Sequence, residues 1–114
     1  MDVRTGSPTW GLHIALELSS DNGRQVFIPT GCAHGFCTLE PETVVTYKVD
    51  AYYAPAADRA LLWKDPALGI VWPVTEAQAI VSDKGAAAPG LAACRDIFHY
   101  AAKEHPHVVC HPLP

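Results

Sequence analysis

The sequence has no long apolar run, no block of like charges and no C-x-x-C pair. A membrane-spanning helix needs about 18 or more consecutive apolar residues, and no run in the chain approaches that length. The first six residues also lack the apolar stretch of a secretion signal. We therefore expect no membrane partner and a cytoplasmic location.

Charge is scarce as well. Charged residues make up 18% of the chain, below the ordinary ~25%. The 8 basic and 12 acidic residues give a net charge of −4, and no basic stripe is present, so we expect no nucleic-acid partner. Apolar residues make up 49% of the 114 residues, which is enough for one folded domain with a core.

The four cysteines match no zinc-ribbon spacing. If Cys32 and Cys37 share one strand, their side chains lie on opposite faces, which disfavours a disulfide between them. We expect free thiols. The segment 101–114 holds three prolines in its last nine residues and is predicted to be an irregular tail. Its clustered His105, His107, Cys110 and His111 could bind zinc or nickel adventitiously, but a tail without fixed geometry is the preferred interpretation.

Ten prolines and eight glycines divide the chain into short pieces, which favours a β domain with many turns. Trp10 to Leu18 alternates strictly, with apolar side chains at the even positions. Turn residues follow at Ser19 to Gly23, and a second turn is predicted over Lys64 to Gly69. Strands are predicted over 10–18, 24–28, 33–39, 43–53, 61–63 and 70–72, and a short helix over 91–102. The predicted fold class is all-β, with short antiparallel strands arranged as a jelly roll or open barrel.

The predicted strand count is too small for a jelly roll, which uses eight strands where this chain offers about six. We therefore expect residues 1–100 to be the C-terminal part of a larger domain that is incomplete at its N-terminus. The missing edge would be supplied by a partner chain or left exposed.

His34 is the first candidate for chemistry. The pattern Gly23-x5-Pro29-x-Gly31-x2-His34 resembles the second conserved motif of the cupin superfamily, whose metal-binding members take further ligands from an upstream His-x-His. That motif is absent here, and one imidazole does not hold a metal alone, so no metal is expected. The side chain either packs in its strand or faces a cavity beside Tyr47.

The strand predicted over 43–53 has its polar residues at even positions, which turns Tyr47 and Tyr53 inward. Inward aromatic side chains are usually core, but a positioned phenol in a cavity can also deliver a proton. Lys84, in the segment Val81 to Gly85, and the pair Asp58-Arg59 lie on predicted loops. They are either solvated or in contact with a ligand, and a lysine suits phosphate.

Several segments, taken together and in order, resemble the dTDP-4-dehydrorhamnose 3,5-epimerase family. Asp2 to Gly11 is similar to that family's D-x-R-x-x-S-P-T-[FW]-G stretch, and the likeness runs to about Leu91. The other matching segments are Leu18-Ser19-x-x-Asn22, Ile28 to Phe36, Tyr47-Lys48, Tyr52-Tyr53-x-Pro55, Trp63 to Pro73 and Ser82-x-Lys84.

This resemblance implies a cupin-type jelly roll, a homodimer, and no metal or other cofactor. It implies epimerisation at C3 and C5 of dTDP-4-dehydro-6-deoxy-glucose, in dTDP-L-rhamnose biosynthesis. By position, Tyr47 matches the family's proton donor, and His34 and Lys84 match substrate-contacting residues. Asp58 stands where the family usually has a glutamate that contacts the nucleotide sugar, and Tyr53 resembles a residue of the cavity wall.

The chain departs from the family pattern in two places. The family's catalytic base is a histidine in an R-G-L-H-[FY]-Q motif upstream of the matching stretch, and these 114 residues contain no such motif. The family's supporting aspartate follows the lysine of Ser-x-Lys-Asp, where Gly85 stands here. The chain alone is therefore expected to be poorly active or inactive. The alternative is a non-catalytic cupin-like module that binds a nucleotide sugar.

Overall fold

The computed structural model describes residues 1–102. Regular structure is sparse, and every element is short. The strands are β1 (Arg4–Thr5) and β2 (Phe98–His99), the single α-helix is α1 (Asp83–Ala86), and 3-10 helices span Pro55–Ala57, Pro66–Leu68 and Leu91–Cys94. Few helices together with a small sheet are compatible with the predicted mostly-β class.

The sheet joins the two ends of the described chain. Strands β1 and β2 pair in parallel, with Arg4 opposite Phe98 and Thr5 opposite His99. Thr5 adds two further bonds, because its carbonyl accepts from the Tyr100 N–H (2.9 Å) and its hydroxyl accepts from the Asp96 N–H (3.0 Å). The last described residues are thereby anchored to the first ones.

A small apolar cluster lies behind this sheet. Its buried members are Val3, Leu68 and Leu91. The partly buried side chains that pack against them are Met1, Trp10, Ala33, Leu61 and Ile70. Among residues 1–102, no large side chain is completely buried. The core thus draws on only a small part of the chain's apolar residues.

Asp2 organises the first ten residues. It is only 6% exposed. Its carboxylate accepts hydrogen bonds from the Arg4 guanidinium (2.8 and 3.0 Å), the Ser7 hydroxyl (2.6 Å) and the Thr9 hydroxyl (2.6 Å). The bond from Arg4, followed by those from the two hydroxyls, holds the pKa of this carboxyl far below its ordinary range. A buried charge that is paired and hydrogen-bonded in this way is tolerated in a protein interior.

Gly31 packs directly against this polar cluster. Its φ of +85° lies in the left-handed region, and a Cβ there would overlap the Arg4 side chain. Its carbonyl accepts from the Val3 N–H (3.0 Å). Two further bonds link Met1 and Ala33 in both directions, and Asp2 forms an antiparallel bridge with Cys32.

The turn predicted at Lys64 to Gly69 is confirmed, and Asp65 is the residue that shapes it. Its carboxylate accepts from the Ala67 N–H (2.9 Å) and so caps the 3-10 helix Pro66–Leu68. It also accepts from the Leu91 N–H (2.7 Å), 26 residues away. These two backbone bonds lower the pKa of Asp65 and tie the turn to the 3-10 helix Leu91–Cys94.

The turn at Ser19 to Gly23 is also confirmed. The Gly23 N–H donates to the Ser19 carbonyl, and Gly23 has a φ of +59°. The helix predicted over 91–102 is wrong beyond Cys94. Arg95 is extended, and Asp96 adopts a φ of +65°. Phe98 and His99 then form β2, so pairing with β1 overrides the weak helical pattern.

The six predicted strands are not strands in the described structure. Alternation of apolar and polar residues marks a potential face, but a strand also needs a neighbour that accepts its backbone hydrogen bonds. Within residues 1–102 only single backbone bonds reach these segments, such as those from Asp2 to Leu12 and from Leu62 to Pro89, and no ladder of successive bonds forms along any of them. A closed roll is therefore not formed by this part of the chain.

The predictions for the cysteines, for metal ligands and for the tail concern side chains outside the core. Cys32, Cys37 and Cys94 are free thiols. Within residues 1–102, no three His, Cys, Asp or Glu side chains are grouped as metal ligands would be, and no helix has the length and apolarity to cross a membrane. Residues 103–114, with the predicted cluster of His105, His107, Cys110 and His111, lie outside the described residues.

Candidate active site

His34 and Tyr47 lie next to each other. Their ring centroids are 6.2 Å apart and their planes are inclined by 70°, an edge-to-face contact. His34 follows Ala33, which is held by its two bonds to Met1. Tyr47 is 62% exposed, so both rings are open to a ligand rather than buried in a core. The contact puts an imidazole and a phenol, two side chains able to move protons, side by side.

Tyr53, Asp58 and Lys84 form a second group. The Tyr53 hydroxyl donates to Asp58 Oδ2 (3.1 Å), and the Lys84 ammonium donates to the same oxygen. The lysine bond, and then the tyrosine bond, lower the pKa of Asp58. Asp58 thus stays ionised, and it partly neutralises Lys84 while fixing the direction of the Tyr53 hydroxyl.

Local structure positions the members of this second group. Asp58 ends the 3-10 helix Pro55–Ala57, and its N–H donates to the Pro55 carbonyl (3.3 Å). Lys84 lies in α1, so the predicted loop over Val81 to Gly85 contains a single helical turn instead. Ser82 begins that turn because its hydroxyl accepts from the Gly85 N–H (3.2 Å).

All five candidate residues therefore occur in one of two contact groups, His34–Tyr47 and Tyr53–Asp58–Lys84. Arg59 belongs to neither, because its guanidinium donates to the backbone carbonyls of Ala56 and Asp58. The sequence did not reveal that Asp58 and Lys84 bind each other, since 26 residues separate them and no local pattern links the two. The Ser82 cap was the available sign that Lys84 sits on a helical turn.

Four of these five residues are exposed, and Asp58 is half-buried. Two clefts, of about 140 and 170 Å³, are lined mainly around Trp10 and Arg95, and none of the five candidates lines either of them. Small-molecule sites usually enclose about 300–1,000 Å³. Each of the two contact groups is accordingly open to solvent in residues 1–102, and together they hold the donors, acceptors and cation of a site but no walls.

The side chains of the two contact groups are suited to two tasks, the transfer of protons and the binding of an anionic substrate. A phenol and an imidazole can exchange protons with a substrate, and an ammonium can attract a phosphate or a developing enolate. The described residues hold one carboxylate in these groups, Asp58, and it is already engaged by Tyr53 and Lys84. A carboxylate free to orient a catalytic base is not part of either group.

The family profile and the curated relatives that match this chain carry the same name. A family profile described as dTDP-4-dehydrorhamnose 3,5-epimerase matches residues 1–93. A dTDP-4-dehydrorhamnose 3,5-epimerase of Sinorhizobium fredii is 46% identical over 100 residues, which cover 88% of this chain and 51% of the relative. Its counterpart in Salmonella typhimurium is 44% identical over 91 residues, covering 80% and 49%.

The same name recurs in a further relative. The relative from Pseudomonas aeruginosa is 42% identical over 84 residues, or 74% of this chain and 46% of the relative. The chain thus spans about half the length of the curated relatives it matches. No solved structure matched the chain.

Proposed function

Because the chain belongs to the dTDP-4-dehydrorhamnose 3,5-epimerase family, we propose that it carries the proton-donating side of an active site that epimerises a dTDP-4-dehydro-6-deoxy sugar. The contact between His34 and Tyr47 is the observation that carries this proposal. The proposed whole is a cupin-type jelly roll, homodimeric and cytoplasmic, that needs no metal or other cofactor.

The reaction gives a chemical role to the phenol of one group and to the cation of the other. In the dTDP-4-dehydro sugar, C3 and C5 both flank the C4 ketone. Removal of a proton from either carbon gives an enolate, and return of a proton to the opposite face inverts that carbon. The enolate oxygen needs a hydrogen-bond donor or a cation to stabilise its charge.

In this proposal Tyr47 returns the proton, and His34 contacts the substrate beside it. Lys84 attracts an anionic part of the substrate, either the enolate oxygen or the diphosphate. Asp58 and Tyr53 contact the nucleotide sugar, and Asp58 also holds Lys84 in place until substrate arrives. Substrate must then compete with Asp58 for the ammonium.

Proton removal is the step that these 114 residues do not provide. They contain no R-G-L-H motif, and Gly85 stands where the family's supporting aspartate is expected. The second candidate function, a module that binds a nucleotide sugar without turning it over, rests on this same observation. The two functions predict different results when a catalytic base is supplied. An epimerase then exchanges the protons at C3 and C5 of the sugar with solvent, and a binding module does not.

A covalent chimera tests the proposal. The full 114-residue chain replaces the matched segment of the Sinorhizobium fredii relative, so that the unmatched half of that relative supplies the base. We expect the chimera to incorporate deuterium from heavy water at C3 and C5 of dTDP-4-dehydro-6-deoxy-glucose, as followed by NMR. The 114-residue chain alone should show no exchange above background.

Tyrosine variants of the chimera test whether Tyr47 returns the proton. Tyr47→Phe should slow exchange by roughly 10²–10⁴-fold, the usual contribution of a general acid. Tyr52→Phe is the matched control, because Tyr52 is fully exposed and belongs to neither contact group. Exchange that survives Tyr47→Phe would rule out its role as proton donor. Calorimetric binding of dTDP by a folded chimera that shows no exchange would favour the binding module.

A further inference from the structure

The contact between His34 and Tyr47 needs support from outside these two residues. Their rings meet at a defined angle, with the planes inclined by 70° and the centroids 6.2 Å apart. Tyr47 is 62% exposed, and no backbone group of residues 43–49 bonds to another backbone group within residues 1–102. The backbone of His34 makes no such bond either, and His34 belongs to no helix or strand. The residues on either side of His34 must therefore hold it in place.

Both neighbours of His34 are held. The Ala33 N–H donates to the Met1 carbonyl (2.9 Å), and the Ala33 carbonyl accepts from the Met1 nitrogen (3.0 Å). On the other side, a Cβ at Gly35 would lie 3.6 Å from Cη2 of Trp72, which is an ordinary van der Waals distance. This Cη2 atom marks the far edge of the indole, the indole tip. His34 thus lies between a hydrogen-bonded residue and one that packs against the indole tip.

Trp72 is itself fixed in position. Its indole N–H donates to the Trp63 carbonyl (2.9 Å), and the two indole rings meet edge to face, with centroids 6.0 Å apart and planes inclined by 75°. The backbone beside Trp63 is bonded too, because the Leu62 N–H donates to the Pro89 carbonyl (2.8 Å) and the Leu62 carbonyl accepts from the Asp65 N–H (3.1 Å). The indole tip is therefore carried by an anchored turn.

The packing of the core does not explain this indole. A half-buried tryptophan most often fills part of an apolar core. Trp63 and Trp72 are both half-buried, but neither belongs to the cluster of Val3, Leu68 and Leu91 or is among the side chains that pack against it. Trp10, by contrast, does pack against that cluster. Trp72 instead directs its tip at the backbone next to the imidazole.

We propose that Trp72 is a positioning residue, whose indole tip supports the backbone at Gly35 and so holds the His34 imidazole against the Tyr47 ring. Trp72 acts through His34 and does not touch the reacting atoms of a substrate. Its effect on exchange at C3 and C5 rests on the proposed function. Its support of His34 requires no turnover, so the two can be tested apart.

The decisive variant shortens the indole and keeps an aromatic ring. In Trp72→Phe the phenyl group retains apolar bulk at position 72, but it ends short of Gly35 and cannot donate to the Trp63 carbonyl. In the full 114-residue chain, we expect the nuclear Overhauser contacts between the rings of His34 and Tyr47 to weaken at least roughly fivefold. The amide order parameter of Gly35 should fall from about 0.8 to below about 0.6.

Two variants provide matched controls. Val71 is the neighbour of Trp72 and is 94% exposed, so Val71→Ala should leave the ring contacts and the order parameter unchanged. Gly35→Ala should also retain the ring contacts, because its Cβ has room against the indole tip and the φ of Gly35 is not in the left-handed region.

The free chain can overturn the proposal in two ways. Ring contacts that stay unchanged in Trp72→Phe would show that His34 is held without the indole tip. A Trp72→Phe chain that loses its urea unfolding transition would show that Trp72 holds the whole fold and not His34 in particular.

A double-mutant cycle in the chimera with the Sinorhizobium fredii relative tests the effect on catalysis. Trp72→Phe should slow deuterium exchange at C3 and C5 by roughly tenfold, but by less than about twofold when His34 is already replaced by Ala. The reason is that a residue acting through His34 has nothing left to position. An equal loss in both backgrounds would overturn the positioning role in favour of a general structural one. A chimera without any exchange would count against the proposed catalysis, while weakened ring contacts in the free Trp72→Phe chain would still support the positioning of His34.

Discussion

A single carboxylate holds the first ten residues together. Replacing Asp2 by Asn keeps its size but removes the charge that pairs with Arg4 and one of the two oxygens, each of which accepts at least two hydrogen bonds. We expect Asp2→Asn to lower the free energy of unfolding by about 2–3 kcal/mol, because a nearly buried guanidinium loses its partner. Urea unfolding followed by tryptophan fluorescence measures this loss.

The control for that experiment is Asp50→Asn. Asp50 is exposed and makes no hydrogen bond or ion pair within residues 1–102. Its replacement should change the free energy of unfolding by less than about 0.5 kcal/mol. If the two variants unfold at the same urea concentration, the Asp2 cluster contributes nothing to the stability of the chain.

The same residue predicts how stability depends on pH. The pKa of Asp2 in the folded chain lies well below its ordinary value of 3.8, chiefly because of Arg4. A depressed carboxyl pKa stabilises the fold above the unfolded pKa and loses this contribution as the pH falls towards the folded pKa. We expect about 2 kcal/mol of stability to disappear between about pH 5 and pH 2.

Acid unfolding of Asp2→Asn checks this assignment. The variant should show a smaller loss over the same pH range, but not a flat profile, because Asp58 and Asp65 also have lowered pKa values. A variant whose acid transition coincides with that of the unmodified chain would show that Asp2 does not govern the transition.

At the scale of the elements, Asp65 and Gly90 are coupled. A Cβ at position 90 would lie 2.5 Å from Asp65 Oδ2, the oxygen that accepts from the Leu91 N–H. Gly90→Ala should therefore destabilise the chain by about 1–3 kcal/mol, as is usual for overpacking. The φ of Gly90 is −73°, so the cost comes from this contact and not from the backbone.

A double-mutant cycle separates these two causes. In an Asp65→Ala background the oxygen is gone, and Gly90→Ala should cost less than half of what it costs in the unmodified chain. Chemical denaturation of the four chains gives the coupling directly. Additive effects would mean that the two positions do not meet and that the turn is not tied to Leu91–Cys94.

The secondary-structure elements also show which parts of the fold could be predicted from the sequence. Turns depend on a few neighbouring residues, and those at Ser19 to Gly23 and Lys64 to Gly69 were predictable from Asn-Gly and Asp-Pro patterns. Pairing of β1 with β2 was not, because Arg4 and Phe98 are 94 positions apart along the chain. Strands over 10–18 and 43–53 were predicted from alternation alone, which specifies a face and not a partner.

The candidate site could likewise be predicted only in part. Family likeness singled out His34, Tyr47, Tyr53, Asp58 and Lys84, and these five fall into two contact groups. Which of them bind each other could not be predicted, since the Asp58–Lys84 pair depends on how two distant turns meet. Their roles in catalysis stay predictions.

At the scale of the whole molecule, order is concentrated where chain ends and turns meet. Met1 bonds to Ala33, Thr5 bonds to Tyr100, and Leu62 bonds to Pro89. All these contacts surround the cluster of Val3, Leu68 and Leu91 or the sheet beside it. Folding in the free chain is therefore expected to be cooperative around this cluster and to leave residues 13–18 and 43–49 out.

Hydrogen exchange of the free chain measures this division directly. Amides bonded near the cluster, such as those of Val3 and Ala33, should exchange at least roughly 100-fold more slowly than those of Leu16 and Tyr47, after correction for intrinsic rates. The reason is that the first pair must break a backbone bond before exchange, whereas the second pair has none to break within residues 1–102. Uniform protection would show a sheet that includes residues 13–18 and 43–49, and uniformly fast exchange would show that the cluster does not hold the chain together.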